Sequence, residues 1–111
     1  MPFPKIQIEY PEWVARHVDW ERRYATEAEK MRLAVEVARQ NVLHETGGPF
    51  GAAIFERDSG RVISVGMNLV VPYNNCVLHA EIVAFMMAQA RVGSYTLGGP
   101  SLPPHGGSEL K

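Results

Sequence analysis

His79-Ala80-Glu81 is the triplet with the clearest capacity for chemistry. A neutral imidazole is a good zinc ligand, and a carboxylate beside a metal-bound water is a good proton shuttle. The spacing is demanding, because residues i and i+2 do not share a helix face. Both side chains reach one site when His79 stands at a helix entry, before the chain is fully helical. The start of a helix is electropositive and favours a hydroxide or developing anion there. The plainer reading is a partly buried histidine and a first-turn glutamate that complements the helix dipole. Asn68, taken alone, reads as a turn former at a strand end. Cys76 and His79 have Cys-x-x-His spacing, a possible metal pair, although an unpaired cysteine is more often a small buried hydrophobe. His44 and His105 read as solvated loop histidines.

The elements that position these residues follow from capping and periodicity. Thr26-Glu27-Ala28-Glu29 has capping-box spacing. Behind it Met31, Ala34, Val35, Ala38 and Val42 recur at intervals of three and four, which predicts a helix to about Leu43. Gly47-Gly48-Pro49 should end it, glycine serving as a left-handed cap and proline breaking the ladder. Phe50 to Phe55 reads as a short buried strand and Arg61 to Asn68 as a second. The turn Glu56 to Gly60 makes them an antiparallel hairpin. Residues 72–75 read as a loop. A second helix starts near Leu78 and runs to Ala90. Being apolar nearly all round, it is expected to lie buried between the sheet and the first helix. In the N-terminal part, Pro11 suits the first turn of a short helix, with Trp13, His17 and Trp20 on one stripe. That stripe is expected to pack on the domain surface, or to serve as a lid or dimer contact.

Length and composition limit the function classes. The 111 residues make one domain. An apolar fraction of 46% with 21% charged residues is that of a folded globular chain. Eleven basic against twelve acidic side chains leave a formal charge of −1, which gives no large electrostatic footprint for duplex nucleic acid or an anionic membrane. A single cysteine excludes an internal disulfide framework. The N-terminus shows no secretory pattern, and the longest apolar run, Ile82 to Ala88, is far short of a membrane span. A cytoplasmic location is the expectation. By composition the chain divides into an extension over 1–25, the domain proper over 26–97 and a Gly/Pro-rich loop or tail over 98–111.

Gly47-Gly48-Pro49-Phe50-Gly51-Ala52, the hairpin, Gly66-Met67-Asn68 and His79-Ala80-Glu81-Ile82 form an ordered series. This series resembles the zinc-dependent cytidine/purine deaminase superfamily, and its opening looks most like the guanine deaminase branch. The resemblance implies a three-layer α/β/α fold, with helices on both sides of a mixed sheet. It implies that His79 binds Zn2+, and that Glu81 carries protons between the metal-bound hydroxide and the ring nitrogen and leaving ammonia. Asn68 and the backbone N–H of Ala80 would contact the base. The family's later Pro-Cys-x-x-Cys, which supplies two further zinc ligands, does not occur in this sequence. The domain is therefore expected to be the N-terminal part of such a fold, cut after its second core helix.

The implied activity is hydrolytic deamination of a purine base or related aminoheterocycle, by a homo-oligomer, with a small-molecule substrate and no membrane or nucleic-acid partner. Two alternatives stand beside it. One is a catalytically inactive deaminase-fold module for binding or assembly, motivated by the missing thiolates and the small sheet. The other is a tRNA adenosine deaminase, which the near-neutral charge disfavours.

Overall fold

In the computed structural model, which describes residues 3–97, the first long element begins where the capping box places it. Thr26 is extended, its hydroxyl accepts from the N–H of Glu29 at 3.1 Å, and the Glu29 carboxylate accepts from the Thr26 N–H at 3.1 Å. Two orphan donors of the first turn are thereby satisfied. In chain order the elements are α1 (Trp13–His17), α2 (Glu27–Leu43), β1 (Gly51–Phe55), β2 (Val62–Met67), α3 (Val70–Tyr73) and α4 (Ala80–Val92). Among the described residues no helix is long and apolar enough to cross a membrane. The segment 98–111, expected to be a loop or tail, lies outside the described residues, as does His105.

The strands pair antiparallel, with Gly51 opposite Met67, Ala52 opposite Gly66 and Ala53 opposite Val65. A bulge follows, since Ile54 faces Ser64 while Phe55 faces Val62, leaving Ile63 as the extra residue. Adjacent rows of a sheet point to opposite faces. A Cβ on Gly51 would fall 2.3 Å from the Ala34 carbonyl oxygen of α2, and one on Gly66 would fall 1.9 Å from the Ala80 carbonyl oxygen of α4. The two helices therefore press on opposite faces of the hairpin, each at a glycine that lets backbone meet backbone. The expected helix–sheet–helix layering is present. Among the described residues its sheet is this antiparallel pair.

That arrangement corrects the expected place of α4, which does not lie between the sheet and the first helix. It buries Ala80, Val83, Ala84 and Ala88 against the hairpin, while Phe85 and Met86 on its far side stay exposed. Two strands roughly 5 Å apart offer a strip no wider than the ~10 Å of one helix, so an all-apolar helix is covered on one side only. The helix α2 ends at Leu43 as its periodicity predicts. Its buried face carries Leu33, Val37, Gln40 and Asn41, whereas Met31, Val35 and Val42 of the stripe are exposed. Its cap differs from the glycine expected, for His44 is the C-cap and Glu45 takes the left-handed turn at φ 55° ahead of the glycines.

The N-terminal segment enters the core. Trp13, Val14, Val18 and Tyr24 share one buried cluster with Val37, Val62 and Val65. The Tyr10 hydroxyl donates to the Val65 carbonyl at 2.7 Å and accepts from the Val65 N–H at 3.1 Å, occupying both backbone groups of that residue on β2. Trp20 leaves the predicted stripe. The helix stops at His17, and Trp20 turns instead toward Tyr10, with ring centroids 6.3 Å apart, and under the Arg91 guanidinium at 5.2 Å. Residues 70–73, partly within the predicted loop, form one helical turn. Pro72 sits where no helical N–H is needed, and Asn74 closes the turn at φ 51°.

Candidate active site

The entry of α4 is built by a clamp between two buried leucines. The N–H of Leu69 donates to the carbonyl of Leu78 at 2.9 Å, and both side chains are buried. Their chain neighbours, Asn68 at the end of β2 and His79 at the start of α4, are thereby held side by side. His79 is the N-cap of α4 with φ −72° and ψ 160°, extended rather than helical. This is the geometry that lets residues 79 and 81 share a site. Both are exposed to it, and both line one cavity of about 560 Å³ with Asn68 and Ala80.

The opposite walls come from Pro49 and Phe50, from Gly51 and Ala52 at the start of β1, and from Met31, Ala34, Val35 and Ala38 of α2. Most of the apolar stripe that predicts α2 is a wall of this cavity. One side is thus apolar and the other carries an imidazole, an amide, a carboxylate and the start of a helix. The first N–H groups of a helix lack intrahelical partners and favour negative charge nearby. The Asn68 side-chain oxygen accepts from the Val70 N–H at 3.2 Å, which fixes the amide and leaves its NH2 as the group for a ligand.

The other candidates are placed elsewhere. Cys76 is exposed rather than buried and does not line the cavity. His44 is no isolated loop histidine. Its ring stacks on Trp13 at 6.0 Å, and its Nε2 lies 3.1 Å from the Gln40 side-chain oxygen. Among the described residues there is no group of three His, Cys, Asp or Glu side chains that could hold a metal ion. A catalytic zinc takes three protein ligands, so His79 by itself does not make that site.

Asn41, which the sequence reading passed over, is fully buried beside the cavity loop. Its side-chain amide donates to the carbonyls of Gly48 and Asn68, each at 3.0 Å. The signal was an amide on the i, i+4, i+8 row of Leu33 and Val37, where an apolar residue would be ordinary.

Comparison with known proteins bears on this site. The cytidine and deoxycytidylate deaminase zinc-binding region matches residues 25–102. The chain is similar to guanine deaminase of Bacillus subtilis (strain 168), with 37% identity over 67 residues, which are 60% of this chain and 42% of that protein. It is similar to the solved structure of guanine deaminase from Nitrosomonas europaea, with a TM-score of 0.77 and 36% identity over 87% of this chain and 54% of that one. A crystal structure of a mutant protein in complex with 8-azaguanine gives a TM-score of 0.77 and 36% identity, over 87% of this chain and 55% of that one. The chain spans about half the length of these relatives.

Proposed function

The chain belongs to the cytidine and deoxycytidylate deaminase zinc-binding family and has its fold, and from that membership we propose that it supplies the base-binding and proton-transfer groups of a hydrolytic deaminase of guanine-like bases. The observation that carries this reading is the single cavity shared by Asn68, His79, Ala80 and Glu81. Its volume is in the range of small-molecule sites, and its apolar wall suits a flat ring system. The relatives named guanine deaminase, and the solved structure holding 8-azaguanine, support guanine over a pyrimidine.

In this reading the Asn68 NH2 and the Ala80 N–H meet the polar edge of the base. Water adds to the ring carbon that bears the exocyclic amine. Glu81 takes the proton from that water and delivers it to the adjacent ring nitrogen. A second transfer protonates the amine, the carbon–nitrogen bond breaks, and a ring carbonyl and ammonia result. His79 would be a zinc ligand of this set, and zinc when bound would lower the pKa of the attacking water.

The test is ammonia release from guanine by the zinc-supplied protein. Glu81→Gln should lower the rate by about 100-fold or more, the usual worth of a positioned proton carrier. Release that survives this substitution contradicts the role given to Glu81. A second reading, a deaminase-fold module that binds without chemistry, is favoured by the absence of a three-ligand group among the described residues. It predicts zinc-independent binding of the base and no ammonia.

A further inference from the structure

Both N–H groups of the Asn41 amide are committed to carbonyls from separate parts of the chain. One is Gly48, in the loop that carries Pro49 and Phe50 into the cavity, and the other is Asn68. Loop and strand end are in direct contact here. A Cβ on Gly47 would lie 1.9 Å from the Asn68 carbonyl oxygen and 2.7 Å from the Asn41 amide nitrogen. The amide is itself oriented, since the Thr46 hydroxyl donates to the Asn41 side-chain oxygen at 2.6 Å. That hydroxyl accepts in turn from the indole N–H of the buried Trp13 at 2.9 Å. An amide whose oxygen is held by a donor has its two N–H groups pointed by default, and here they point at the loop that leads to Pro49 and Phe50 and at the end of β2 that carries Asn68.

We propose that Asn41 is a positioning residue that pins the Gly48 loop to the Asn68 end of β2, and that the N-terminal segment fixes it through Trp13 and Thr46. The placing of Asn68, Pro49 and Phe50 around the base then depends on a residue that touches no ligand. This extends the deaminase reading, on which it rests for the identity of the ligand alone.

The experiment is amide hydrogen exchange on the whole chain together with titration by 8-azaguanine. The reporters are the Phe50 N–H, which bonds to the Gly48 carbonyl, and the Val70 N–H, which bonds to the Asn68 side chain. Thr46→Val keeps the side-chain shape and removes the hydroxyl, and Asn41→Asp removes both amide donors. Thr46→Val should speed exchange at Phe50 and Val70 by about tenfold while Val37 and Val65 are unchanged, and weaken 8-azaguanine by about tenfold, the effect of one lost buried hydrogen bond, and Asn41→Asp should do at least as much. Thr46→Ser should restore both. An equal acceleration at all four amides, or a loosened loop with unaltered binding, overturns the proposal. Should Asn41→Asp not fold, the Thr46 pair decides. A wild-type chain that does not bind 8-azaguanine refutes the deaminase reading, and the exchange rates then judge the positioning role separately.

Discussion

The N–H of Leu69 donates to the carbonyl of Leu78 at 2.9 Å, and this one backbone bond brings the end of β2 to the entrance of α4. Asn68 and His79 are the residues beside it, so the polar side of the cavity is registered by a contact buried behind it. Leu78→Ala should therefore act twice. Removing a fully buried leucine costs about 2–5 kcal/mol, to be read from urea unfolding. It should also weaken 8-azaguanine binding by the folded protein, because the clamp that places His79 loses its anchor.

Gly66→Ala tests the seat of α4. The new methyl group would meet the Ala80 carbonyl oxygen at 1.9 Å and the Ala84 nitrogen at 2.5 Å, backbone atoms that no rotamer change can move. The expected loss is about 3 kcal/mol or more, at the upper end for overpacking. Because Ala80 lines the cavity, resonances of Ala80 and Glu81 should shift even where the variant folds. An unchanged midpoint with unchanged resonances would contradict this tight seat for α4.

The start of α2 carries its own pH dependence. The Arg22 side chain, and next the bonds from Thr26, hold the Glu29 carboxyl below its ordinary value. A depressed carboxylate stabilises the fold above its unfolded value and loses that contribution as pH falls through the folded one. Glu29→Gln should flatten the acid side of the thermal stability profile. Thr26→Ala should cost about 1 kcal/mol at neutral pH, by calorimetry.

Tyr10 gives the alkaline counterpart. Burial pushes its hydroxyl up to about 12, against the lowering effects of its bond to Val65 and of Arg91. The fold favours the neutral phenol, so its contribution is complete below pH 10 and is lost as pH rises toward 12. Tyr10→Phe leaves the Val65 N–H and carbonyl without this partner and should cost about 1–3 kcal/mol at pH 7. The gap between variant and wild type should narrow above pH 10. Tyr24, also raised by burial, is common to both proteins and cancels in the difference.

Local rules were legible in the sequence because their causes are local. The capping box of Thr26 and Glu29, the hairpin and the extended His79 at a helix entry all depend on neighbours in the chain. Long-range facts were not. Periodicity marked Met31, Ala34, Val35 and Ala38 as an apolar stripe, yet only the packing shows that they wall a cavity while Leu33 and Val37 fill the core. The same holds for α4, whose composition promised full burial that a two-stranded sheet cannot provide. The spacing of Trp13, His17 and Trp20 suits one helix, but α1 ends at His17 and the partner of Trp20, Arg91, lies 71 positions away. The amide of Asn41 shows in the sequence only as a polar residue on the row of Leu33 and Val37, because its role depends on Gly48 and Asn68 arriving together.

The most direct measurement is an NMR titration of the isotopically labelled chain with 8-azaguanine. The account predicts that the Asn68 side-chain NH2, the Ala80 backbone amide, the His79 ring and the Glu81 carboxylate shift together with one saturation curve. Shifts at any of these groups without the others, or a binding footprint centred away from the entrance of α4, would contradict it.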